Sequence, residues 1–170
     1  MSELTRTQRE FREAMANLSA AVNVVTTDGP HGLAGMTVSA ACSVTDSPPT
    51  VLVCVNRSSR SHDILVANGR ICLNVLGAEH ERLAMHFAGA TRVPTAERFT
   101  EDCWDLESEG VPVLRDAPAS LIGRIVTEQA QGSHSVMFVE IEKVTTRQDS
   151  GALIYFQRRF HSLAPASLSA

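Results

Sequence analysis

Residue types able to do chemistry gather in three places. The first, Thr37-Val38-Ser39-Ala40-Ala41-Cys42-Ser43-Val44-Thr45-Asp46, is dense in hydroxyls and small side chains. Small side chains let a ligand approach the backbone, whose N–H groups then act as donors. Hydroxyls bind ring carbonyls or phosphate oxygens without adding charge. A Ser/Thr-rich edge strand explains the same composition, and the residues alone leave both readings open. The second, Asn56-Arg57-Ser58-Ser59-Arg60-Ser61, follows an apolar run and opens a helical pattern. A helix N-terminus beside arginines suits a phosphate, and N-capping by Ser58, Ser59 or Ser61 accounts for it equally well. The third is His134, which follows Gly132-Ser133 in a predicted hairpin turn.

Other motifs fail on spacing. Glycines at 29, 32 and 35 do not form G-x-G-x-x-G, and Pro30 would break the strand-to-helix turn that motif needs. His80-Glu81 starts like a metalloprotease helix, but Ala84 stands where the second histidine belongs. There is no G-x-x-x-x-G-K-[ST] and no G-x-S-x-G. His31, His62 and His161 read as solvated. Cys42, Cys54, Cys72 and Cys103 lack metal or disulfide spacing and read as buried reduced thiols. No metal site is expected.

The elements that position these residues follow from pattern. Residues 7–18 predict a helix, with Thr7 and Glu10 as a capping box and Phe11, Met15 and Leu18 on one face. Strands are expected at 21–27, 33–41, 50–56, 70–76, 119–130, 135–146 and 152–160. Further helices are expected at 58–68, closed by Gly69, and at 78–87. Residues 89–99 read as a polar loop, and the tail from 163 is expected to fray. The chain has 170 residues, 44% of them hydrophobic and 20% charged, which fits one globular domain spanning 1–170. A net charge of −4 without Lys/Arg clustering argues against nucleic acid. No run approaches a membrane span. The opening Met1-Ser2-Glu3-Leu4-Thr5-Arg6 lacks a signal-peptide core, so a cytoplasmic protein is expected. Strands and helices do not alternate one for one, which favours an antiparallel barrel over a doubly wound sheet.

Several segments together resemble a known family. They are Phe11-Arg12-Glu13-Ala14-Met15, Ala21-Val22-Asn23-Val24-Val25-Thr26-Thr27-Asp28-Gly29, and the hydroxyl segment running on into Ser47-Pro48-Pro49. Cys72-Leu73-Asn74-Val75-Leu76, His86-Phe87-Ala88-Gly89, Glu97-Arg98-Phe99, Gly132-Ser133-His134 and Leu153-Ile154-Tyr155-Phe156 agree with it. The chain resembles the short-chain flavin reductases, the small components of two-component flavin monooxygenases, over about residues 8–162. The resemblance implies a mainly β flavin-binding split barrel, an antiparallel Greek-key barrel with a few peripheral helices, assembled as a homodimer. It implies hydride transfer from NADH, or NADPH, to FAD or FMN. Reduced flavin would then leave for a separate flavin-dependent monooxygenase acting on an aromatic substrate.

By the same resemblance, Thr37, Val38, Ser39 and Ala40 wrap the ribityl and phosphate side, and Ser43, Val44 and Thr45 meet the isoalloxazine edge. Asn56, Ser58 and Ser59 take the phosphate or ribityl end, while Phe87 and Gly89 approach the flavin. His134 faces the nicotinamide, in a Gly-Ser-His that departs from the family's Gly-Thr-His by one methyl. Tyr155 and Phe156 lie near the dinucleotide groove. A flavin- or haem-binding protein without reductase activity, built on the same barrel, is the competing expectation.

Overall fold

The computed structural model describes residues 3–100 and 102–165. Helix α1 (Arg6–Ala16) starts earlier than its pattern predicts, because Thr5 rather than Thr7 caps it. Thr5 Oγ1 accepts the Gln8 N–H at 3.2 Å, and Gln8 Oε1 accepts the Thr5 N–H at 2.8 Å. Glu10, the expected partner of Thr7, instead pairs with Arg6 one turn back, at 2.7 Å. No residue of α1 is buried.

The strands are β1 (Ala20–Ala21), β2 (Asn23–Thr27), β3 (Ala34–Val38), β4 (Ala41–Asp46), β5 (Pro49–Asn56), β6 (Arg70–Val75), β7 (Trp104–Asp105), β8 (Val113–Leu114), β9 (Ala119–Gln131), β10 (His134–Thr146), β11 (Ala152–Phe156) and β12 (Arg159–Leu163). Seven of them form one antiparallel sheet in the order β3-β2-β6-β9-β10-β5-β4. Its two edge strands, β3 and β4, are consecutive in sequence and joined only by Ser39 and Ala40. A two-residue link cannot span a flat seven-stranded sheet, whose neighbours lie ~4.8 Å apart. The sheet therefore curls until its edges meet at Ser39-Ala40, where the Cys54 N–H donates to Ala40 O at 2.9 Å.

Two cores explain why every residue of β2 is buried. On one face Val25 packs with Val53, Val55, Met137 and Val139, and helix α2 (Arg60–Asn68) inserts Leu65 among them. On the other face Val24 packs with Leu83, Ala84 and Phe87 of helix α3 (Glu81–Phe87). Phe99 and Trp104 complete that second core, with ring centroids 5.0–5.4 Å from one another and from Phe87. The 89–99 segment is thus not wholly polar, since Phe99 anchors its end in the core. Buried Asn74 ties the 103–117 segment to the sheet. It donates to Val24 O and accepts from the Leu114 N–H at 2.9 Å and from Ser120 Oγ at 3.2 Å.

Three expectations need correction. Residues 152–160 form a hairpin, not one strand. Its turn residues, Gln157 and Arg158, hold φ of 49° and 61° without a glycine or asparagine to announce them. Tertiary bonds hold that turn: Gln157 N–H donates to Ala16 O at 2.7 Å, and Arg158 pairs with Glu13 at 2.7 Å. Cys42 is exposed, because its apolar-looking run forms an edge strand. His62 is buried, because it sits in the first turn of α2 facing the sheet. The strand β12 extends to Leu163, and the frayed tail expected beyond it lies outside the described residues from 166 on.

Candidate functional site

The hydroxyl segment begins where β3 leaves the sheet, and three elements converge there. Thr37 Oγ1 donates to Ala84 O at 2.7 Å, which fixes β3 to the end of α3. Ser61 Oγ donates to Gly35 O at 3.0 Å, which fixes β3 to the first turn of α2. Ser59 caps that helix by accepting the Ser61 N–H, and its hydroxyl reaches Met36 Sδ at 3.7 Å. Gly35 is required in this position, since a Cβ would come within 2.7 Å of the Phe87 ring.

Between these elements and the loop after α3 lies a cleft of about 690 Å³. Thr37, Ser59, Phe87 and Gly89 line it. So do Arg60, one of the arginines the sequence sets beside a helix N-terminus, and Arg92 and Arg98, for which the sequence suggested no ligand role. Gly89 turns the loop with φ 78°, and Arg92 holds φ 55°, rare for an arginine. Arg98 Nε donates to Val93 O at 2.8 Å, and its guanidinium lies 6.0 Å from the Phe87 ring centroid. Burial, and then the positive charge of Arg60, push the Arg98 pKa down. Among the described residues no ion pair joins these three arginines to a carboxylate. Three guanidinium groups that pair with no acid among the described residues, beside a helix N-terminus, have the chemistry that suits phosphate oxygens.

Thr37 and Ala88 also line a neighbouring cavity of about 380 Å³. Ser39, Tyr155 and Arg158 line that cavity as well, and with Ala40 they continue into a groove of about 730 Å³ along α1. Tyr155 stands edge-on to Phe160 at 5.3 Å and is 37% exposed. Phe11, Met15 and Leu18 offer the groove an apolar helix face. Through these shared lining residues the three hollows adjoin as a trough, with Arg60, Arg92 and Arg98 at one end, Thr37, Ser39 and Ala40 along the wall, and at the other end an apolar face bordered by Arg9, Arg12 and Arg158.

Of the residues singled out by sequence, Thr37, Ser39, Ala40, Ser59, Phe87, Gly89 and Tyr155 line this trough. Val38 turns its side chain into the core and leaves only backbone to the site. Asn56 Oδ1 accepts from both Ser58 N–H and Ser58 Oγ at 2.9 Å, which shapes the turn before Ser59. Ser43, Val44 and Thr45 stand exposed on edge strand β4, where the register shifts between Ser43 and Thr45. His134 is exposed at the start of β10, opposite Asn56 in register, with Nδ1 2.9 Å from Ser133 Oγ. Phe156 is half-buried, its ring 6.0 Å from that of His161. The missed arginines, Arg92 and Arg98, sat in the 89–99 segment read as merely polar. Pro94 and the buried Phe99, which hold that loop in place, were the available signal.

Glu79, His80 and Asp116 bring ligand-type atoms within 4.8 Å of one another. His80 Nδ1 accepts the Gly77 N–H at 2.9 Å, so its ring proton sits on Nε2, 3.2 Å from Asp116 Oδ1. That tautomer turns a donor and not a lone pair toward the two acids, so the trio does not present a metal site, although neither His80 Nε2 nor Asp116 Oδ1 completes a hydrogen bond.

Residues 15–164 match the family described as flavin reductase like domain. The chain is 50% identical over 163 residues to the 4-hydroxyphenylacetate 3-monooxygenase reductase component of Pseudomonas aeruginosa, covering 96% of each. It is 48% identical to FMN reductase (NADH) RutF of Variovorax paradoxus, over 91% of this chain and 85% of that one. Its fold matches the NADH:FAD oxidoreductase SgcE6 of Streptomyces globisporus, solved in complex with NAD and FAD fragments. That match has a TM-score of 0.85 at 28% identity and covers 98% of this chain and 99% of the other. The family match over residues 15–164, with a relative 50% identical across 96% of each chain, places the chain in the flavin reductase like family.

Proposed function

We propose that the chain is an NAD(P)H-dependent flavin reductase that moves a hydride from NADH to FAD or FMN and releases reduced flavin to a separate monooxygenase. The observation that carries this is the trough: a cleft lined by Arg60, Arg92 and Arg98, joined at Thr37 to apolar space walled by Ser39 and Tyr155. Phosphates need the cationic end and planar rings need the apolar end. The two relatives whose printed names are a monooxygenase reductase component and an FMN reductase (NADH) support the donor, the acceptor and the partner.

The chemistry belongs to the two dinucleotides, and the chain supplies orientation and electrostatics. Arg60, Arg98 and the capped start of α2 hold the flavin phosphate, with Asn56 and Ser58 shaping the turn. Thr37, Val38, Ser39 and Ala40 run along the ribityl chain, offering hydroxyls and backbone donors. Ser43, Val44 and Thr45 present the unpaired side of an edge strand to the isoalloxazine, while Phe87 and Gly89 form the loop over it. His134 positions the nicotinamide, and Tyr155 and Phe156 border the dinucleotide groove. Because reduced flavin must leave, the site binds oxidised flavin more tightly than reduced.

The curled sheet whose edges meet at Ser39-Ala40 supports a split barrel. Bonds from Ala16 to Gln157 and from Glu13 to Arg158 support one domain from end to end. A homodimer would cover the apolar side chains left open on α1 and the sheet, Phe11, Leu18, Val44 and Val126 among them. Among the described residues no helix is long and apolar enough to cross a membrane. Use of NADH implies a cytoplasmic location, where that donor is made and recycled. Mixing the protein with NADH and free FAD or FMN under argon tests the activity. Bleaching of many flavins per chain supports it, and flavin binding without bleaching overturns it in favour of a flavin-binding protein.

A further inference from the structure

Arg60 and Arg98 serve the flavin phosphate in the proposed function, which leaves Arg92, the third guanidinium of the cleft, without a part. Arg92 stands on the loop after α3 at φ 55°. That loop is held at both ends. The Ala90 N–H donates to Met85 O at 3.1 Å, Thr91 Oγ1 lies 2.7 Å from His86 Nδ1, and Phe99 is buried in the core. The backbone at Arg92 is thus fixed on the cleft wall. Its guanidinium makes no hydrogen bond and no ion pair among the described residues.

The three cations are not equivalent. Arg60 opens α2 next to its Ser59 cap. Burial, and then the charge of Arg60, lower the Arg98 pKa, so these two guanidinium groups feel one another. Arg92 does not contribute to that shift, and its charge stands apart from the pair. Glu97, the only acid between residues 89 and 99, does not line the cleft. Two cations together and a third apart match two phosphorus atoms better than one. FMN ends in a phosphomonoester, which places about −1.5 to −2 charges on a single phosphorus at neutral pH. The diphosphate of FAD carries a similar total charge spread over two phosphorus atoms. Total charge therefore does not separate the two flavins, whereas the spacing of the cations does.

Size points the same way. The cleft of about 690 Å³ lies in the range of pockets that enclose a whole drug-sized ligand. FMN would leave its rings in the neighbouring cavity and use only a phosphate's share of this space. Beside Arg92, half-buried Val93 and exposed Pro94 also line the cleft and offer apolar surface. An adenine ring needs such a surface, and a guanidinium plane stacks well on an aromatic ring.

We propose that Arg92 selects FAD over FMN: its guanidinium pairs with the second phosphate of FAD, and residues 92–95 carry the adenosine beyond it. The proposal rests on the placing of the flavin phosphate at Arg60 and Arg98. Arg92 is exposed, so solvent screens the pair and keeps the preference moderate.

The test uses the full chain as wild type, Arg92→Asn and Arg92→Lys. Asparagine tolerates the positive φ and removes the charge, and lysine keeps a charge without the planar fork. Calorimetry gives Kd for oxidised FAD, FMN and riboflavin, and NADH oxidation gives KM for FAD and FMN. Wild type is expected to bind FAD about three- to tenfold more tightly than FMN. Arg92→Asn is expected to bring that ratio to within about twofold of one, with Arg92→Lys between the two. KM for the two flavins should follow the same order. A wild type that binds FMN as tightly as FAD, or an Arg92→Asn with an unchanged ratio, overturns the selection. Equal weakening of all three flavins in Arg92→Asn also overturns it, because Arg92 then acts on loop order. A wild type that holds riboflavin as tightly as FMN overturns instead the phosphate placement on which the proposal rests.

Discussion

Replacing Arg98 with methionine tests the cationic end of the trough. Methionine keeps an unbranched apolar stem against Phe87 and removes the charge. In the structure Arg98 Nε is already committed to Val93 O at 2.8 Å, so only the terminal nitrogens remain for a ligand. One charge-assisted hydrogen bond to a phosphate is worth about 1.5–3 kcal/mol, and each ~1.4 kcal/mol is a tenfold change in affinity. Two effects work against the full value. The side chain is only half-buried, so solvent screens part of the interaction. Its removal also relieves repulsion from Arg60, the charge that helps to lower the Arg98 pKa. The expected weakening for FMN and FAD is therefore roughly 10- to 30-fold, the lower part of the range.

Riboflavin is the internal control, because it has the rings and the ribityl chain but no phosphate. Loss of the Val93 bond loosens the 93–98 loop for every ligand alike, so it cancels in the ratio. Fluorescence titration of the three oxidised flavins, at low and at high salt, gives the ratio directly. Wild type should prefer FMN over riboflavin, with a preference that shrinks as salt screens the guanidinium groups. Arg98→Met should lose most of that preference at low salt. If riboflavin weakens as much as FMN, Arg98 acts on loop order and not on the phosphate. If FMN affinity does not change at all, the phosphate lies elsewhere and the cationic cleft serves another ligand.

His134→Ala should raise KM for NADH more than it lowers kcat, as steady-state rates at saturating flavin would show. A loss in kcat alone would refute a positioning role. Gly123→Ala should destabilise the chain by about 2–3 kcal/mol, because its Cβ would fall 2.2 Å from Glu140 O in the β9–β10 pair. A melting temperature lowered by less than about 2 °C would count against it. Cys42, exposed on β4, should be the first thiol to react with a soluble reagent, while Cys72 stays silent until the chain unfolds. Burial pushes the Cys72 thiol up to about 12 from its ordinary 9.0. The unfolded thiol therefore ionises first, and stability that is complete below pH 9.0 falls as pH climbs toward about 12. Denaturation curves for wild type and Cys72→Ala across that range should converge in their slope with pH if the reasoning fails.

How much of this was legible in the sequence depended on whether a feature was local. Helix α2 was readable because Ser59 is a start signal and Gly69 a stop signal, and each acts within one turn. The long hairpin was readable because Gly132 marks a two-residue turn between alternating strands. The 157–158 turn was not, because Gln157 and Arg158 are held at positive φ by α1, about 140 residues away in sequence, and not by their own preference. Cys42 and His62 failed for the same reason in opposite directions. Local hydrophobicity buried one that lies on a sheet edge, and local polarity exposed one that a cross-sheet serine receives.

The candidate site divides along the same line. Its hydroxyls could be found because small and polar residues in a run are unusual. Arg60 could be found beside its helix start, but Arg92 and Arg98 could not, because they stand far from it in sequence and make no run with it. They become a site only when α2, β3 and the loop after α3 close on one another, and the residues that close them are unremarkable in sequence. Thr37 bonds a carbonyl of α3, Ser61 bonds a carbonyl of β3, and Phe99 carries the far end of the loop into the core. The proposed phosphate site is made by packing rather than by motif. Its specificity should therefore be more sensitive to substitutions at Thr37 and Ser61, which touch no phosphate, than composition alone would suggest.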